Sequence, residues 1–262
     1  MKTLRTIPGL FAAAVFASAG CAAPGSDSAD GVHESEAAGV ASTNGLSSVN
    51  GLSSVNGLSS VNGLSTANGL SSVNGLSSVN GLMTTAPGRA TVSYLIQCAL
   101  PAGKSITKKD QNGISYTYPG LFGFAPEWEN GACGQICQDY VSACLMAHIN
   151  TAGVHIPLWV TAYPASVGFT RNAAYPHQEG SFFGNLFVSP PKAYYCNGKD
   201  FDVGVVPGRI GANQAGAPYT NLYAAPLSTY CADFCTPADY PNATGGYKAC
   251  SGYNHVVTVF RQ

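Results

Sequence analysis

The chain has 262 residues, a formal net charge of −1 and only 10% charged residues. Its lysines and arginines are scattered, with no concentrated basic face of the kind that nucleic-acid binding needs, so nucleic acid is excluded as an expected partner. Nine cysteines and fourteen tyrosines are the compositional features that call for an explanation.

Residues 1–20 have the pattern of a secretory signal peptide. Lys2 and Arg5 precede an apolar run over residues 10–16, which is too short to span a bilayer, and small residues follow it. Residues 17–19 (Ala-Ser-Ala) fit ordinary signal peptidase. The run "SAGC", ending at Cys21, resembles the bacterial lipobox, in which the cysteine becomes the lipidated N-terminus. We therefore expect a lipid anchor at Cys21, with secretion as a soluble protein as the alternative.

The residue after Cys21 bears on the final location. Ala22 stands where an aspartate would retain a bacterial lipoprotein at the inner membrane. The lipobox resemblance therefore implies the outer membrane or the cell surface. No other segment of the sequence reaches transmembrane length, so the membrane is expected as a partner through the lipid alone.

A six-residue repeat, "NGLSSV", runs from Asn44 to Leu82. On a helix, six residues advance a side chain by about 240°, so the leucines form no stripe. On a strand, Leu and Val point to opposite faces. The polar composition and the Asn-Gly turns predict a disordered tether over residues 21–87. Self-association of the repeats as strands is the alternative.

The sequence predicts a single globular domain over residues 88–262. This part of the chain contains all 14 tyrosines and eight of the nine cysteines. Because the chain has the features of an exported protein, an even set of eight cysteines predicts four disulfides with no free thiol, and the ninth is Cys21. The eight are Cys98, Cys133, Cys137, Cys144, Cys196, Cys231, Cys235 and Cys250.

The predicted fold class is α+β and β-rich, with one main helix. Short segments rich in β-branched and aromatic residues predict strands. A helix is predicted over about 135–152, ending before Gly153. The predicted strands lie within residues 90–100, 113–120, 155–163, 201–206 and 255–260.

The stretch "ACGQICQDYVSACLMAH" places Cys133, Cys137, Cys144 and His148 on one stripe if all of it is helical. The stripe would extend more than about 20 Å, so one zinc ion cannot bind all four. The sequence therefore favours disulfides over a metal. We expect each of the three cysteines to pair with a partner elsewhere among the other five, which cross-links the helix to surrounding strands.

A thiol hydrolase is the alternative function. "NGACGQICQDY" and "GYNHVVTVF" resemble the catalytic cysteine and histidine neighbourhoods of papain-like peptidases. The resemblance implies a nucleophile at Cys133 or Cys137 and a base at His255. The cysteine spacing departs from that family, and the sequence has no asparagine after His255 to orient it.

Two further motifs suggest other chemistry. His177 and Glu179, placed on a turn before a strand, could form an acid–base pair; with Cys231 and Cys235 they weakly resemble zinc deaminases. Glu127 and Glu129 flank a tryptophan, as a carboxylate-dependent glycoside hydrolase could use. Neither pattern is specific, so no metal and no cofactor are predicted.

The abundant tyrosines fit two interpretations equally: a binding surface, because tyrosine combines apolar area with a hydrogen-bonding hydroxyl, or half-buried strand positions of a secreted β-rich domain. The whole chain resembles a group of uncharacterised bacterial surface lipoproteins, which share a lipobox, Asn-x-Leu repeats and segments like "GLFGFAPEW" and "EGSFFGNLF". That resemblance implies export and anchoring. The expected function is therefore binding of a polysaccharide or a surface protein, or a role in envelope structure.

Overall fold

The computed structural model describes residues 40–44, 70–71, 81–149, 156–163, 167–188, 191–203, 223–224, 230–238 and 245–262. They belong to one compact unit that spans residues 36–262. The predicted signal peptide, Cys21 and most of the repeat lie outside the described residues. Within the described residues, no helix is both long and apolar enough to cross a membrane.

Two α-helices and ten strands form the described part of the fold. The helices are α1 (Ala86–Ala99) and α2 (Gln135–Ala147). The strands are β1 (Val40–Asn44), β2 (Ser105–Lys109), β3 (Ser115–Pro119), β4 (Ile156–Ala162), β5 (His177–Asn185), β6 (Lys192–Asn197), β7 (Tyr223–Ala224), β8 (Cys235–Pro237), β9 (Tyr247–Cys250) and β10 (Val257–Arg261).

The main sheet has six strands in the order β1-β4-β10-β5-β6-β7. Neighbours are antiparallel except for β6 and β7. Strands β2 and β3 form one two-stranded sheet, and β8 and β9 form another. Helix α2 packs against β5 and β10, and α1 packs against α2. The predicted α+β, β-rich and disulfide-stabilised class is confirmed.

Helix α1 corrects the strand predicted over residues 90–100. The β-branched and aromatic residues of this segment suit either structure, but its buried residues Val92, Leu95, Ile96 and Ala99 follow helical spacing. The Thr85 side chain accepts a hydrogen bond from the Gly88 amide and caps the helix, with a proline in its first turn.

Two other predicted boundaries differ from the structure. Helix α2 ends at Ala147 rather than near 152, with His148 as its C-cap. Residues 150–155 lie outside the described part of the chain. In the strand predicted over 201–206, residues 201–203 form a turn. A tight turn there brings three carbonyls to the Arg261 guanidinium, whose Nη2 donates to Asp200, Phe201 and Val203.

The sheet is covered on both faces. On one face Phe182, Val257 and Val259 join the large core that contains both helices. On the other, Phe183 and Val256 pack with four cysteines and Tyr247 in a second cluster. Both faces of β5 and β10 are therefore buried: every β5 residue after His177 and all of β10 lie in the interior, although β5 carries several polar side chains.

Parts of the predicted tether belong to this unit. Strand β1 pairs along β4 in antiparallel register, from Val40 opposite Val160 to Asn44 opposite Ile156. Further along, Leu70 is buried in the large core. The predicted tether therefore contributes to the domain in at least these two places, of which Leu70 belongs to the repeat.

Candidate functional site

All eight cysteines of the predicted domain are paired in disulfides. The pairs are Cys98–Cys144, Cys133–Cys137, Cys196–Cys231 and Cys235–Cys250. The first joins α1 to α2. The other long-range pairs hold β6 and the β8–β9 hairpin together. This pattern indicates that the protein folds in an oxidising compartment.

The expectation that each cysteine of the α2 stretch pairs away from it is wrong for two of the three. Cys133 and Cys137 pair with each other. The reason is that α2 begins only at Gln135, so Cys133 lies outside the helix and folds back to a Cα–Cα distance of 5.2 Å from Cys137. Cys144 does pair away, but with a cysteine of the neighbouring helix rather than of a strand.

Two buried clusters have the composition of metal sites. They are Cys98, Cys144 and His148, and Cys196, Cys235 and Cys250, whose ligand atoms lie within 4.8 Å of one another. Metals bind cysteine as thiolate, and every one of these sulfurs is in a disulfide. In the oxidised protein, neither cluster therefore offers a thiolate site.

The main candidate site is a carboxylate–imidazole pair at one end of the sheet. Asp139 lies in the first turns of α2, and His255 lies two residues before β10. Asp139 Oδ2 is 3.1 Å from His255 Nδ1. The Asp139 side chain is 6% exposed and that of His255 is 21% exposed. The carboxylate is thus buried, while the imidazole reaches the surface.

Asn185 holds the carboxylate from the other side. Its Nδ2 donates to Asp139 Oδ1 at 2.9 Å and to Gln138 Oε1 at 3.1 Å, while its Oδ1 accepts from the Phe187 amide. Gln138 in turn donates to the Cys133 carbonyl. Antiparallel pairing brings the end of β5, with Asn185, beside the start of β10.

Gly184 makes this placement possible. Its φ is +129°, and a Cβ atom there would lie 2.3 Å from the Lys192 carbonyl oxygen. Only glycine fits both the conformation and the space. The backbone turn at Gly184 directs the next side chain, that of Asn185, toward α2.

The geometry fixes what His255 can do. Because the Asp139 carboxylate accepts, His255 Nδ1 is assigned as the donor of this hydrogen bond, and the neutral imidazole then has its lone pair on Nε2. Among the described residues no protein group is hydrogen-bonded to Nε2. The arrangement is that of an imidazole oriented by a carboxylate, which can accept a proton from water or from a hydroxyl.

Aromatic rings surround this pair. The Tyr140 ring meets His255 edge-on at 4.8 Å, and Tyr194 and Tyr253 lie beside each other at 5.5 Å. Burial raises the pKa of Tyr253 to about 12, with further contributions from Tyr194 and from the Asp139 charge. The histidine therefore sits in a largely aromatic setting with one buried negative group.

The Tyr253 phenol should ionise late in the folded protein. Its folded pKa lies above the value of about 10 of an unfolded chain. Its contribution to stability is therefore complete below about pH 10 and is lost as pH rises toward 12. Absorbance titration at 295 nm of the wild type minus Tyr253→Phe should show a single phenol ionising near 12. A difference spectrum with a midpoint near 10 would contradict this environment.

The two candidate thiol nucleophiles, Cys133 and Cys137, are bonded in a disulfide. They lie at the start of α2 and are linked to the site through Gln138. A disulfide sulfur is not a thiolate nucleophile. In the oxidised protein, the hydrogen-bond partner of His255 is therefore the Asp139 carboxylate, and Cys133 and Cys137 offer it no free thiol.

The other sequence candidates are dispersed. His177 and Glu179 lie within β5 rather than on a turn, and Glu179 is buried 3.4 Å from the Arg261 guanidinium. Pairing with β10 extends the strand back to His177, which lies opposite Arg261, so the predicted turn is replaced by strand. Cys231 and Cys235 belong to separate disulfides, so neither sulfur is a thiolate that could bind zinc in a deaminase-like site.

The two glutamates around Trp128 also take different roles. Glu127 is exposed, whereas Glu129 forms a salt bridge with Lys104 at 3.2 Å. Trp128 itself is fully buried and packs edge-on against Phe187. The tryptophan therefore serves the core rather than a sugar-binding surface.

Sequence reasoning identified His255 but missed Asp139 and Asn185. A signal for both exists in the sequence: Asp139 is the one charged residue in the run "CQDYVSACLMA", and Asn185 is a polar residue between apolar ones in "SFFGNLF". A buried polar side chain needs a partner, so such positions point to one another. Asp139 and Asn185 are 46 residues apart in the sequence, and Asp139 and His255 are 116 apart. At such separations nothing in the sequence indicated that these residues are in contact.

A second feature is an aromatic face formed by β4 and residues 167–175. Trp159 lies 5.8 Å from Tyr175 and donates its indole N–H to the Thr170 carbonyl. Tyr163 packs on Phe169 and is 48% exposed. We refer to Trp159, Tyr163 and Tyr175 as the aromatic face; Phe169 is buried beneath Tyr163.

Comparison with known proteins adds no assignment, since no family model, no curated protein and no solved structure matches this chain.

Proposed function

We propose that this chain is an exported cell-surface protein, anchored by lipid at Cys21, whose domain binds an extracellular polysaccharide. The observation that carries the proposal is the pairing of all eight domain cysteines, since it leaves Cys21 as the odd cysteine of nine. A lipobox cysteine is consumed by acylation. A lipid anchor at Cys21 therefore requires that Cys21 have no disulfide partner in the domain, as is the case when the other eight cysteines are all paired.

The aromatic face supports the binding role. Sugar rings present apolar C–H surfaces that lie against aromatic rings, and the phenol hydroxyls bond to sugar hydroxyls. Tyr175 offers such a ring beside Trp159, which its bond to Thr170 holds in place, and Tyr163 offers an exposed ring next to Phe169. A surface-protein partner is the alternative ligand for the same face.

Replacing Tyr163 or Tyr175 by alanine should weaken binding by roughly 2–10-fold each, which corresponds to the energy of one aromatic contact. Co-sedimentation of the purified domain with the insoluble polysaccharide of its own cell envelope measures this. Tyr230→Ala is the matched control, because Tyr230 is also an exposed tyrosine but packs on Phe201. Equal losses in all three variants, or no sedimentation of the wild type, would contradict the proposal.

Hydrolysis is a second candidate function, favoured by the Asp139–His255 pair. His255 would act as general base through Nε2, and Asp139 would keep its tautomer and orientation. Because the neighbouring cysteines are paired, the attacking group would be water or a substrate hydroxyl. Aromatic rings around His255 would contribute the apolar wall of the binding site.

If the pair is catalytic, His255→Ala should reduce turnover by roughly 10²–10⁴-fold. The assay is hydrolysis of chromogenic amide, ester and glycoside substrates by the purified, oxidised domain. His177→Ala is the control, because His177 is a partly exposed histidine outside the site. Turnover that survives His255→Ala, or that responds equally to both changes, would remove this function from consideration.

A further inference from the structure

One unit of the repeat is bound by the domain, and the contacts that hold it are few and clear. Leu70 is 1% exposed and lies in the large core. Its amide donates to the Trp128 carbonyl at 2.7 Å, and the Ser71 amide donates to the Glu129 carbonyl at 2.9 Å. The Ser71 hydroxyl donates to Asn130 Oδ1 at 2.7 Å.

The groups that make these contacts occur again and again in the repeat. Each contact needs only a leucine side chain, two backbone amides and a serine hydroxyl. The dipeptide Leu-Ser supplies all of them, and it recurs every six residues. Its leucines are Leu46, Leu52, Leu58, Leu64, Leu70 and Leu76.

We infer that the loop Trp128–Asn130 is a docking site for the Leu-Ser units of this chain, and that units other than Leu70–Ser71 occupy it in turn. The site offers two carbonyls, one amide oxygen and an apolar pocket, none of which distinguishes one unit from another. The chain can therefore move through the site in steps of six residues. Such steps leave β1 paired with β4 and redistribute residues between the segment that joins β1 to the site and the segment that joins the site to Leu82.

The length of chain between the bound Leu-Ser unit and Leu82 has only a small effect on which unit is bound. A doubling of loop length lowers the population of a closed state by only about threefold. Moving from Leu70 to Leu64 lengthens the connection to the buried Leu82 by six residues, and moving to Leu76 shortens it by six. Units near the middle of the repeat should therefore be populated to similar extents.

The test is one substitution made in two backgrounds. In the wild-type chain, Leu70→Ala should lower the melting temperature by less than about 2 °C, because a neighbouring unit replaces it. In a chain whose other five repeat leucines are already alanine, the same change should lower it by roughly 5–15 °C, as for an ordinary buried leucine, or prevent folding. The five-alanine chain that keeps Leu70 is the control and should melt as the wild type does.

Equal effects of Leu70→Ala in the two backgrounds would overturn the inference, because they would show that one unit alone fits the site. A second measurement avoids any dependence on folding of the most altered chain. A chain that keeps only Leu64 of the six repeat leucines should melt within about 2 °C of the chain that keeps only Leu70, since either unit fits the site. A melting temperature of the Leu64 chain more than about 5 °C below that of the Leu70 chain would also overturn the inference.

Discussion

Removing the Cys98–Cys144 disulfide by replacing both cysteines with alanine should lower the free energy of unfolding by about 4 kcal/mol. The bond closes a loop with a sequence separation of 46 residues, and loop-closure entropy of the unfolded chain sets this magnitude. Both cysteines are fully buried between the two helices. The alanines that replace them would also be buried, so they gain no hydration that would offset the lost constraint. Thermal unfolding at neutral pH, followed by circular dichroism, measures the change.

The matched control is removal of the Cys133–Cys137 disulfide in the same way. Its sequence separation is only 4, so the same relation gives about 2 kcal/mol. For a domain of this size, the first variant should therefore melt several degrees below the second. The reverse order would show that the link between α1 and α2 is not the main covalent constraint on the fold.

Replacing Arg261 by methionine should lower the free energy of unfolding by about 3–5 kcal/mol. Arg261 is 1% exposed, lies 3.4 Å from the buried Glu179 carboxylate, and donates through Nη2 to three carbonyls. Methionine fills much of the volume but removes the cation beside Glu179 and the donor to those carbonyls. Urea unfolding of the variant and the wild type gives the difference.

Arg171→Met is the control for this change. Arg171 lies over the Phe260 ring and donates to the Pro176 carbonyl near the surface, so its loss should amount to less than about 1 kcal/mol. Adding Glu179→Gln to Arg261→Met should recover part of the stability by removing the buried charge. Similar losses for Arg171→Met and Arg261→Met, or no recovery, would contradict the role given to the buried pair.

The strands were predictable where alternation and turn residues agree. Segments around Ser115–Pro119, Ile156–Ala162 and Val257–Arg261 are short, rich in β-branched or aromatic residues and bounded by Gly, Pro or Asn. Helix α1 was not predicted, because β-branched residues weakened its helical pattern. The Thr85 cap and the following proline were the overlooked signal.

The cysteine count could be predicted to close as four pairs, but not which cysteine joins which. Eight cysteines allow 105 pairings, and only the three-dimensional fold selects one. The same limit explains the candidate site. Asp139, Asn185 and His255 meet because β5 and β10 are antiparallel and α2 packs on both, and a single sequence does not state that packing.

The most direct test of the account is the intact mass of the mature, membrane-extracted protein, alkylated with and without prior reduction. The account predicts an N-terminal acylated Cys21, no alkylation before reduction and eight alkylations after it. That result would establish the anchor and the closed set of disulfides together. An unacylated N-terminus would contradict the anchor, and labelling of Cys133 or Cys137 without reduction would contradict the pairing and return a thiol to the neighbourhood of His255.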